Sequence, residues 1–264
     1  MSAQVVTVTS GKGGVGKTTI VANLGVALAM RGQRVVVIDG DVGLRNLDVM
    51  LGLENRIVYD LVDVIEGRCR LRQALVRDKR FSELFLLPAA QTRDKSAVQP
   101  ENMVALCDSL RDEHDVILID CPAGIEQGFH YAVAPADRVL IVTNPEVGAV
   151  RDADRVIGLL EAAEKGPANL VINRIKPELV RRGEMMDVPQ VVELLAVDLI
   201  GVVPEDGTIL AAANRGQPVA ATDDGSLAGR AFHNIARRLQ GEDVPFQALQ
   251  APGVLSRLFR FGRS

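Results

Sequence analysis

The sequence contains no tryptophan and few other aromatic residues, with two tyrosines and seven phenylalanines among 264 residues. A close-packed core must therefore be built mainly from valine, leucine, isoleucine and alanine. Cysteine is also scarce. The chain has three, Cys69, Cys107 and Cys121, which are odd in number, far apart and without any Cys-x-x-Cys spacing. This pattern argues against a disulfide framework and favours reduced thiols in a cytosolic protein.

Long apolar runs are missing as well, since none approaches the roughly 20 residues of a membrane span. The first residues lead into a strand-like run without the basic and apolar regions of a signal peptide, so we expect a cytoplasmic protein. The formal net charge of −4 at pH 7 argues against nucleic-acid binding by the whole surface, although a local basic patch stays open.

A glycine-rich segment near the start, TSGKGGVGKTT at residues 9–19, matches the phosphate-binding pattern G-x-x-x-x-G-K-[ST]. It follows an apolar strand-like run and precedes a helical pattern, so its N–H groups would hold a polyphosphate at a helix N-terminus. Lys17 would reach the β- and γ-phosphates, and the Thr18 hydroxyl would bind Mg²⁺. The residues predicted to contact the nucleotide are Gly11, Lys12, Gly13, Gly14, Val15, Gly16, Lys17, Thr18 and Thr19.

Apolar strand-like runs alternate with helical patterns along the whole chain. Strands are predicted at 5–8, 34–39, 84–87, 116–120, 139–143, 170–173 and 199–203, and helices at 20–30, 58–66, 102–111, 152–163, 188–196 and 227–239. This alternation predicts an α/β fold with a single doubly wound, mostly parallel sheet and helices on both faces.

Acidic residues follow two of the predicted strands, Asp39 and Asp41 after the second and Asp120 at the end of ILID. Ligands of such sheets bind beyond the carboxyl ends of the strands. Phosphoryl transfer needs acidic groups at the metal and a group that orients water. These three carboxylates are therefore candidate site residues, although an aspartate after a strand is also a common helix cap or turn residue.

The string KGGVGKTT, residues 12–19, resembles the deviant P-loop of the MinD/ParA family of ATPases, whose extra lysine reaches across a dimer interface. GDVGLRNLDVMLGLE, VYDLVDVIEG, LPAAQTRDK, DCPAGIE, TNPEVGAVRDADRVIGLL and GVVPED resemble the septum-placing branch of that family, in the same order and over nearly the whole chain. The resemblance implies a P-loop NTPase fold of the SIMIBI-like type, ATP/ADP and Mg²⁺ as ligands, and ATP hydrolysis by a nucleotide-sandwich dimer.

The resemblance also implies residue roles, with Asp41 positioning the attacking water and Asn46 supporting the active dimer. The residues implied in catalysis are Lys12, Lys17 and Asp41, those at the Mg²⁺ shell are Thr18, Asp39 and Asp120, and those around the adenine are Asn173, Pro204, Glu205 and Asp206. For Asn173 an ordinary turn position is an open alternative.

Partners implied by the resemblance are a second copy of the chain in the ATP state, the division inhibitor MinC, and MinE, which stimulates hydrolysis and release. Asn46, Arg151, Asp152 and Asp154 match the partner surface. For Arg151, Asp152 and Asp154, a solvated, dipole-matched helix start is the open alternative.

The last residues form a basic amphipathic pattern of the interfacial kind. One face of a helix over 253–264 carries Val254, Leu255, Leu258, Phe259 and Phe261, and the other carries Ser256, Arg257, Arg260 and Arg263. The predicted division is an ATPase domain at 1–241, a linker at 242–252 and a membrane-targeting segment at 253–264. A terminal helix docked on the domain's own core is the alternative.

The free-energy contributions of its side chains indicate that one such segment binds an anionic membrane weakly. Each arginine contributes about 1 kcal/mol near the surface and each buried apolar side chain about 1 to 2 kcal/mol, against the cost of ordering a short helix. Joining two segments raises avidity by about a hundredfold. We therefore expect an ATP-state dimer that is peripheral on the cytoplasmic face of the inner membrane.

Three rival functions fit parts of the pattern. A DNA-segregating ATPase would bind DNA through basic residues such as Lys176, Arg181 and Arg182. A flagellar-number ATPase would also carry a C-terminal membrane helix, usually with an N-terminal extension. A nucleotide-binding scaffold that does not hydrolyse ATP would not need Asp39, Asp41 and Asp120 together. No specific nucleic acid is expected as a partner.

Overall fold

A computed structural model of the chain describes residues 2–222 and 225–248. The predicted membrane-targeting segment, 253–264, lies outside the described residues. The strands are β1 (Gln4–Thr9), β2 (Val35–Asp39), β3 (Val76–Arg77), β4 (Leu84–Leu87), β5 (Val116–Asp120), β6 (Arg138–Thr143), β7 (Ala168–Ile175) and β8 (Leu199–Pro204). The helices are α1 (Lys17–Ala29), α2 (Leu47–Leu51), α3 (Leu61–Ile65), α4 (Leu71–Ala74), α5 (Pro100–Leu110), α6 (Gln127–Val133), α7 (Val147–Ala162), α8 (Pro177–Arg181), α9 (Val188–Leu195), α10 (Gly207–Ala213) and α11 (Leu227–Leu239).

The described strands form one sheet in the order β3-β4-β2-β5-β1-β6-β7-β8. Neighbouring strands pair in parallel except β3, which runs antiparallel to β4 at the edge. The central strands are buried on both faces, which explains their continuous apolar runs. The predicted doubly wound, mostly parallel fold is confirmed.

Helices cover both faces of the sheet and bury two apolar layers in the described part of the chain. One layer joins α1, α2, α10 and α11 to the sheet, and the other joins α3, α5, α6, α7 and α9 to the opposite face. Valine, leucine, isoleucine and alanine dominate both, as the composition predicts, with Tyr131 and Phe232 among the largest fully buried side chains. Cys69, Cys107 and Cys121 are free thiols.

The helix bounds differ from the prediction at one functionally important place. α7 begins at Val147, five residues before the predicted start at Asp152. Its N-cap residue, Glu146, makes no side-chain capping bond, and the first turn is apolar, so the sequence carries no helix-start signal there. As a result, Arg151, Asp152 and Asp154 lie in the second turn of α7, and interpreting them as a dipole-matched helix start is wrong.

The first part of the predicted linker packs against the domain. Arg238 of α11 donates from Nε to the Val244 carbonyl at 2.9 Å and from Nη2 to the Pro245 carbonyl at 3.1 Å. Its guanidinium also lies 4.0 Å from the centre of the Phe246 ring. The chain therefore runs along α11 as far as the described residues extend. Among them, no helix is both long and apolar enough to cross a bilayer.

Replacing a core aromatic should destabilise the fold strongly. Phe232 is fully buried in α11 against the layer that includes α1, so Phe232→Ala should lower the free energy of unfolding by about 3 to 5 kcal/mol. Urea unfolding followed by circular dichroism measures this. Arg230→Ala, an exposed position of the same helix, is the control and should change stability by less than about 0.5 kcal/mol; a similar loss in both variants would contradict the packing.

Candidate functional site

The glycine-rich loop joins β1 to α1, as the motif requires. Gly14 and Gly16 have φ angles of 80° and 101°, which favour glycine, and Gly16 is the N-cap of α1. Lys17, the first residue of the helix, is buried, and its Nζ donates to Ser10 Oγ at 2.9 Å. Ser10 Oγ in turn donates to the Lys12 carbonyl at 2.8 Å. The loop is thus held by its own side chains with a cation at its base.

Two carboxylates lie side by side at the carboxyl ends of the central strands. β2 and β5 pair in a register that sets Asp39 opposite Asp120, and both side chains are almost fully buried. Burial raises the pKa of Asp39 to about 6 despite the backbone hydrogen bonds that it accepts. Burial and the neighbouring Asp39 charge raise the pKa of Asp120 to about 8. The hydrogen bond from Thr18 and the charge of Lys17 lower this pKa but do not offset the rise. Without a ligand, the pair is therefore held partly protonated at neutral pH.

Asp39 also organises the segment that follows β2. Its Oδ1 accepts from the Asp41 N–H at 3.0 Å, and its Oδ2 accepts from the N–H groups of Asn46 and Leu47 at 3.0 and 3.1 Å. The same carboxylate thus turns the chain after the strand and caps the start of α2. Asp41 is half-buried, and Asn46 is exposed at the cap position.

The acidic pair fits a divalent cation that is completed by a polyphosphate. Thr18 hydrogen-bonds to the Asp120 carboxylate, whose Oδ1 has no hydrogen-bond partner among the described residues. No group of three or more His, Cys, Asp or Glu in those ranges could hold a metal ion alone. A Mg²⁺ site with one hydroxyl, nearby carboxylates and substrate phosphates agrees with both facts, because Mg²⁺ rarely uses an all-protein cage.

A cleft of about 640 Å³ opens above these groups, a size that suits a nucleotide. Its phosphate end contains the loop and the acidic residues. Its other end is more apolar and lies between α2 and α10. The lining residues that matter here are Gly16, Lys17, Thr18, Asp41 and Asp120 at the first end, and Val49, Met50, Ile209, Leu210 and Ala213 at the second.

Three of the four predicted adenine residues reach this cleft. Asn173, Glu205 and Asp206 line it, whereas Pro204 ends β8 and is not among the lining residues. Asn173 is buried, and its Nδ2 donates to the Val15 carbonyl at 2.7 Å. Asp206 caps α10 by accepting from the Thr208 N–H at 2.9 Å. In this conformation Asn173 supports the back of the glycine-rich loop, and its role at a base stays a prediction.

The predicted partner surface on α7 lies directly behind the glycine-rich loop. Arg151 and Asp154 are exposed, and Asp152 is half-buried. A Cβ placed on Gly11 would lie 2.1 Å from the Asp152 carbonyl oxygen, so the first loop glycine touches the α7 backbone. Lys12 is exposed at the loop surface, as an intermolecular contact would require.

Sequence reasoning missed several residues of the site. Ser10 fixes Lys17, and the apolar end of the cleft is formed by residues of α2 and α10, which are only five and seven residues long. Such helices are too short for a reliable 3.6-residue period. The usable sequence signals are the N-cap residues, Asn46 before α2 and Asp206 before α10, because asparagine and aspartate are favoured at that position.

The comparisons with known proteins agree with this site. Residues 6–219 match the family described as the CobQ/CobB/MinD/ParA nucleotide binding domain. The chain is 53% identical to the septum site-determining protein MinD of Bacillus subtilis (strain 168), over 98% of this chain and 97% of that one. The MinC:MinD cell division protein complex of Aquifex aeolicus contains a similar chain, with a TM-score of 0.86, 49% identity, and coverage of 93% of this chain and 99% of that one.

A further similar structure is the septum site-determining protein MinD of Pyrococcus horikoshii OT3, complexed with Mg-ADP. It is 30% identical, with a TM-score of 0.81, over 90% of this chain and 96% of that one. Mg-ADP is the kind of ligand that a cleft with this phosphate end and this volume fits.

Removing one carboxylate should stabilise the ligand-free protein. When the pKa of a carboxyl group is higher in the folded state than in the unfolded state, the free energy of unfolding falls as pH rises. The fall begins at the unfolded pKa, near 4, and continues to the folded pKa. The destabilisation due to Asp120 should therefore grow between about pH 4 and about pH 8. We expect Asp120→Asn to raise the melting temperature in EDTA by about 2 to 4 °C for each kcal/mol of relieved strain.

Thermal unfolding in EDTA at pH 5 and pH 8 checks this, and the increase should be larger at pH 8. Asp112→Asn, at an exposed position, is the matched control and should leave the melting temperature unchanged at both values. A variant that melts at or below the wild-type temperature at pH 8 would rule out the strained carboxylate pair.

Proposed function

Since this chain belongs to the MinD branch of the CobQ/CobB/MinD/ParA family of nucleotide-binding proteins, we propose that it is an ATP-hydrolysing membrane switch of cell division. In the ATP state it dimerises, binds the cytoplasmic face of the inner membrane and helps to position the septum. The observation that carries the proposal is the buried Asp39 and Asp120 pair beside Lys17 and Thr18, at the phosphate end of a nucleotide-sized cleft.

The residues of the loop would bind the phosphates. Lys17 is buried at the N-terminus of α1, so its charge and the adjacent N–H groups favour a polyphosphate there. Transfer of the Lys17 ammonium from Ser10 to the nucleotide would leave Ser10 still bonded to the Lys12 carbonyl. Thr18, Asp39 and Asp120 would hold Mg²⁺ or its waters, and the ion, when bound, would neutralise phosphate charge.

Asp41 is the residue best placed to orient the attacking water. It lines the cleft beside the two buried carboxylates, and its N–H is fixed by Asp39. Its role is therefore to hold a water by hydrogen bonding in line with the γ-phosphate. The nucleoside would occupy the apolar end of the cleft, between α2 and α10, with Glu205 and Asp206 at its polar edge.

Dimerisation would follow from the exposed position of Lys12. An exposed lysine at the edge of a phosphate site can reach the triphosphate of a second copy, so the γ-phosphate becomes part of the subunit contact. Asn46, exposed at the cap of α2, would support the same contact. Hydrolysis removes the γ-phosphate and with it this link, which gives the dimer a limited lifetime.

The dimer would bring two amphipathic segments to the membrane at once. Residues 253–264 bind weakly when single because the segment is short, and two of them on one particle bind much more tightly. Partner binding would use the second turn of α7, where Arg151, Asp152 and Asp154 lie next to the loop. The Aquifex complex named MinC:MinD supports MinC as one partner, and we propose MinE as the partner that promotes hydrolysis and release.

Hydrolysis tests the assignment of Asp41. Asp41→Ala should lower the rate of phosphate release from ATP, measured with vesicles and MinE present, by at least about a hundredfold, because a positioned water-orienting group contributes that much. ADP binding should change little. Asp112→Ala is the control at an exposed aspartate. An unchanged rate in Asp41→Ala would remove this role from the residue.

Vesicle sedimentation tests the membrane switch. With vesicles rich in anionic phospholipid, the wild-type chain should bind at least about ten times better with ATP than with ADP. Leu258→Glu should abolish binding in both states, because a charge replaces an apolar side chain on the lipid face. Lys12→Ala should bind with ATP as weakly as the wild type binds with ADP.

Ser256→Gln, on the polar face of the same segment, is the control and should bind like the wild type. Equal binding of the wild type in the two nucleotides would contradict the switch, as would full binding by Leu258→Glu.

A further inference from the structure

Arg80 connects the two walls of the apolar end of the cleft. It lies in the loop between β3 and β4, away from the glycine-rich loop in sequence. Its Nη2 donates to the carbonyl of Leu51, the last residue of α2, at 2.5 Å, and its Nη1 donates to the carbonyl of Gly216, just after α10, at 2.8 Å. One guanidinium thus bonds to the last carbonyl group of α2, where a cation is favoured, and to a carbonyl group in the turn that follows α10.

Asp78 fixes the guanidinium in this position. Its Oδ1 accepts from Arg80 Nε at 3.2 Å and from the Arg80 backbone N–H at 2.7 Å, and its Oδ2 accepts from Nη2 at 2.7 Å. The Asp78 side chain is 1% exposed, whereas that of Arg80 is 35% exposed. A buried carboxylate therefore orients a partly exposed arginine, whose remaining donors point to the two helix ends.

The two helix ends are in direct backbone contact. Gly52 and Gly216 have φ angles of 64° and 61°, and a Cβ on Gly216 would lie 2.5 Å from the Gly52 Cα. No side chain fills this junction. Arg80 spans it from outside, so it limits how far the ends of α2 and α10 can separate.

α2 is thereby held at both ends. Asp39 caps its N-terminus beside the phosphate end of the cleft, and Arg80 holds its C-terminus. Between these points, Val49 and Met50 face the cleft opposite Ile209, Leu210 and Ala213 of α10. Arg80 thus contacts both walls, whereas the glycine-rich loop is part of the connection between β1 and α1.

We propose that Arg80 is a positioning residue that sets the spacing of α2 and α10 around the nucleoside, and so supports binding of the nucleoside part of the ligand without affecting the phosphate part. The proposal rests on the proposed function, since it takes a nucleotide as the occupant of the cleft. A structural role in folding alone would weaken all ligands equally, so the two parts of the ligand must be measured separately.

Calorimetric titration with ADP and with inorganic pyrophosphate, both with Mg²⁺, separates binding of the nucleoside part from binding of the phosphate part. Arg80→Ala should raise the Kd for ADP by roughly fivefold or more, because a smaller fraction of the molecules would hold the two walls at the spacing that fits the nucleoside, and should leave the Kd for pyrophosphate within about twofold of the wild type. Arg80→Lys should give an intermediate loss, because an ammonium lacks the planar fork that reaches both carbonyls.

Two further variants sharpen the experiment. Gly216→Ala should weaken binding of ADP but not of pyrophosphate, as Arg80→Ala should. The added Cβ would push Gly216 and Gly52 apart. Arg77→Ala is the matched control at the end of β3, three residues before Arg80, since Arg77 is exposed and its side chain donates to the Ser82 carbonyl. It should bind both ligands like the wild type. If Arg80→Ala does not fold, Arg80→Lys and Gly216→Ala provide the test.

An unchanged Kd for ADP in the Arg80 variants would overturn the proposal while leaving nucleotide binding by the wild type intact. An equal loss for ADP and pyrophosphate would also overturn it, because the effect would then be global. A wild-type chain that binds neither ligand would overturn the proposed function together with this inference.

Discussion

The register between β2 and β5 is the constraint on which the site depends. It sets Asp39 and Asp120 next to each other at the carboxyl ends of two central strands, inside the fold and against the base of the glycine-rich loop. Two buried carboxylates cannot both be ionised there without a compensating cation, and Lys17 alone does not prevent the rise in their pKa values. We propose that a divalent ion carried by a polyphosphate supplies the missing charge, so that ligand binding relieves a strain that folding creates.

The same pair links the chemistry to the rest of the cleft. Asp39 caps α2, α2 meets α10 at a glycine junction, and Arg80 fixes that junction. On the other side, the first loop glycine touches the backbone of α7 at Asp152. The phosphate end, the nucleoside end and the α7 surface are therefore connected through short, direct contacts. The proposed partner surface on α7 thus lies one backbone contact away from the glycine-rich loop.

Much of the fold could be predicted from the sequence because its central strands and longer helices carry strong periodic patterns. All seven predicted strands are present, and α11 was predicted with its observed bounds. The two-residue strand β3 and the short helices α2, α4, α6, α8 and α10 were not predicted, because each is too short for a periodic pattern.

For the candidate site, the loop and the acidic residues were predictable because motif spacing places them. Ser10, Arg80 and the glycine junction were not, because their partners lie far away in sequence. Asn173 lines the cleft and also donates to the Val15 carbonyl, whereas Pro204 is not among the lining residues, and the roles of both at an adenine stay predictions.

We propose above all that binding of a magnesium nucleotide supplies the cation that the Asp39 and Asp120 pair lacks. The most direct measurement is the number of protons released when Mg-ADP binds at pH 7, obtained by calorimetry in two buffers of different ionisation enthalpy. Because the carboxylates must ionise on binding, the account predicts release on the order of one proton per chain, and a smaller release in Asp120→Asn. Binding without proton release, or an equal release in the variant, would contradict it.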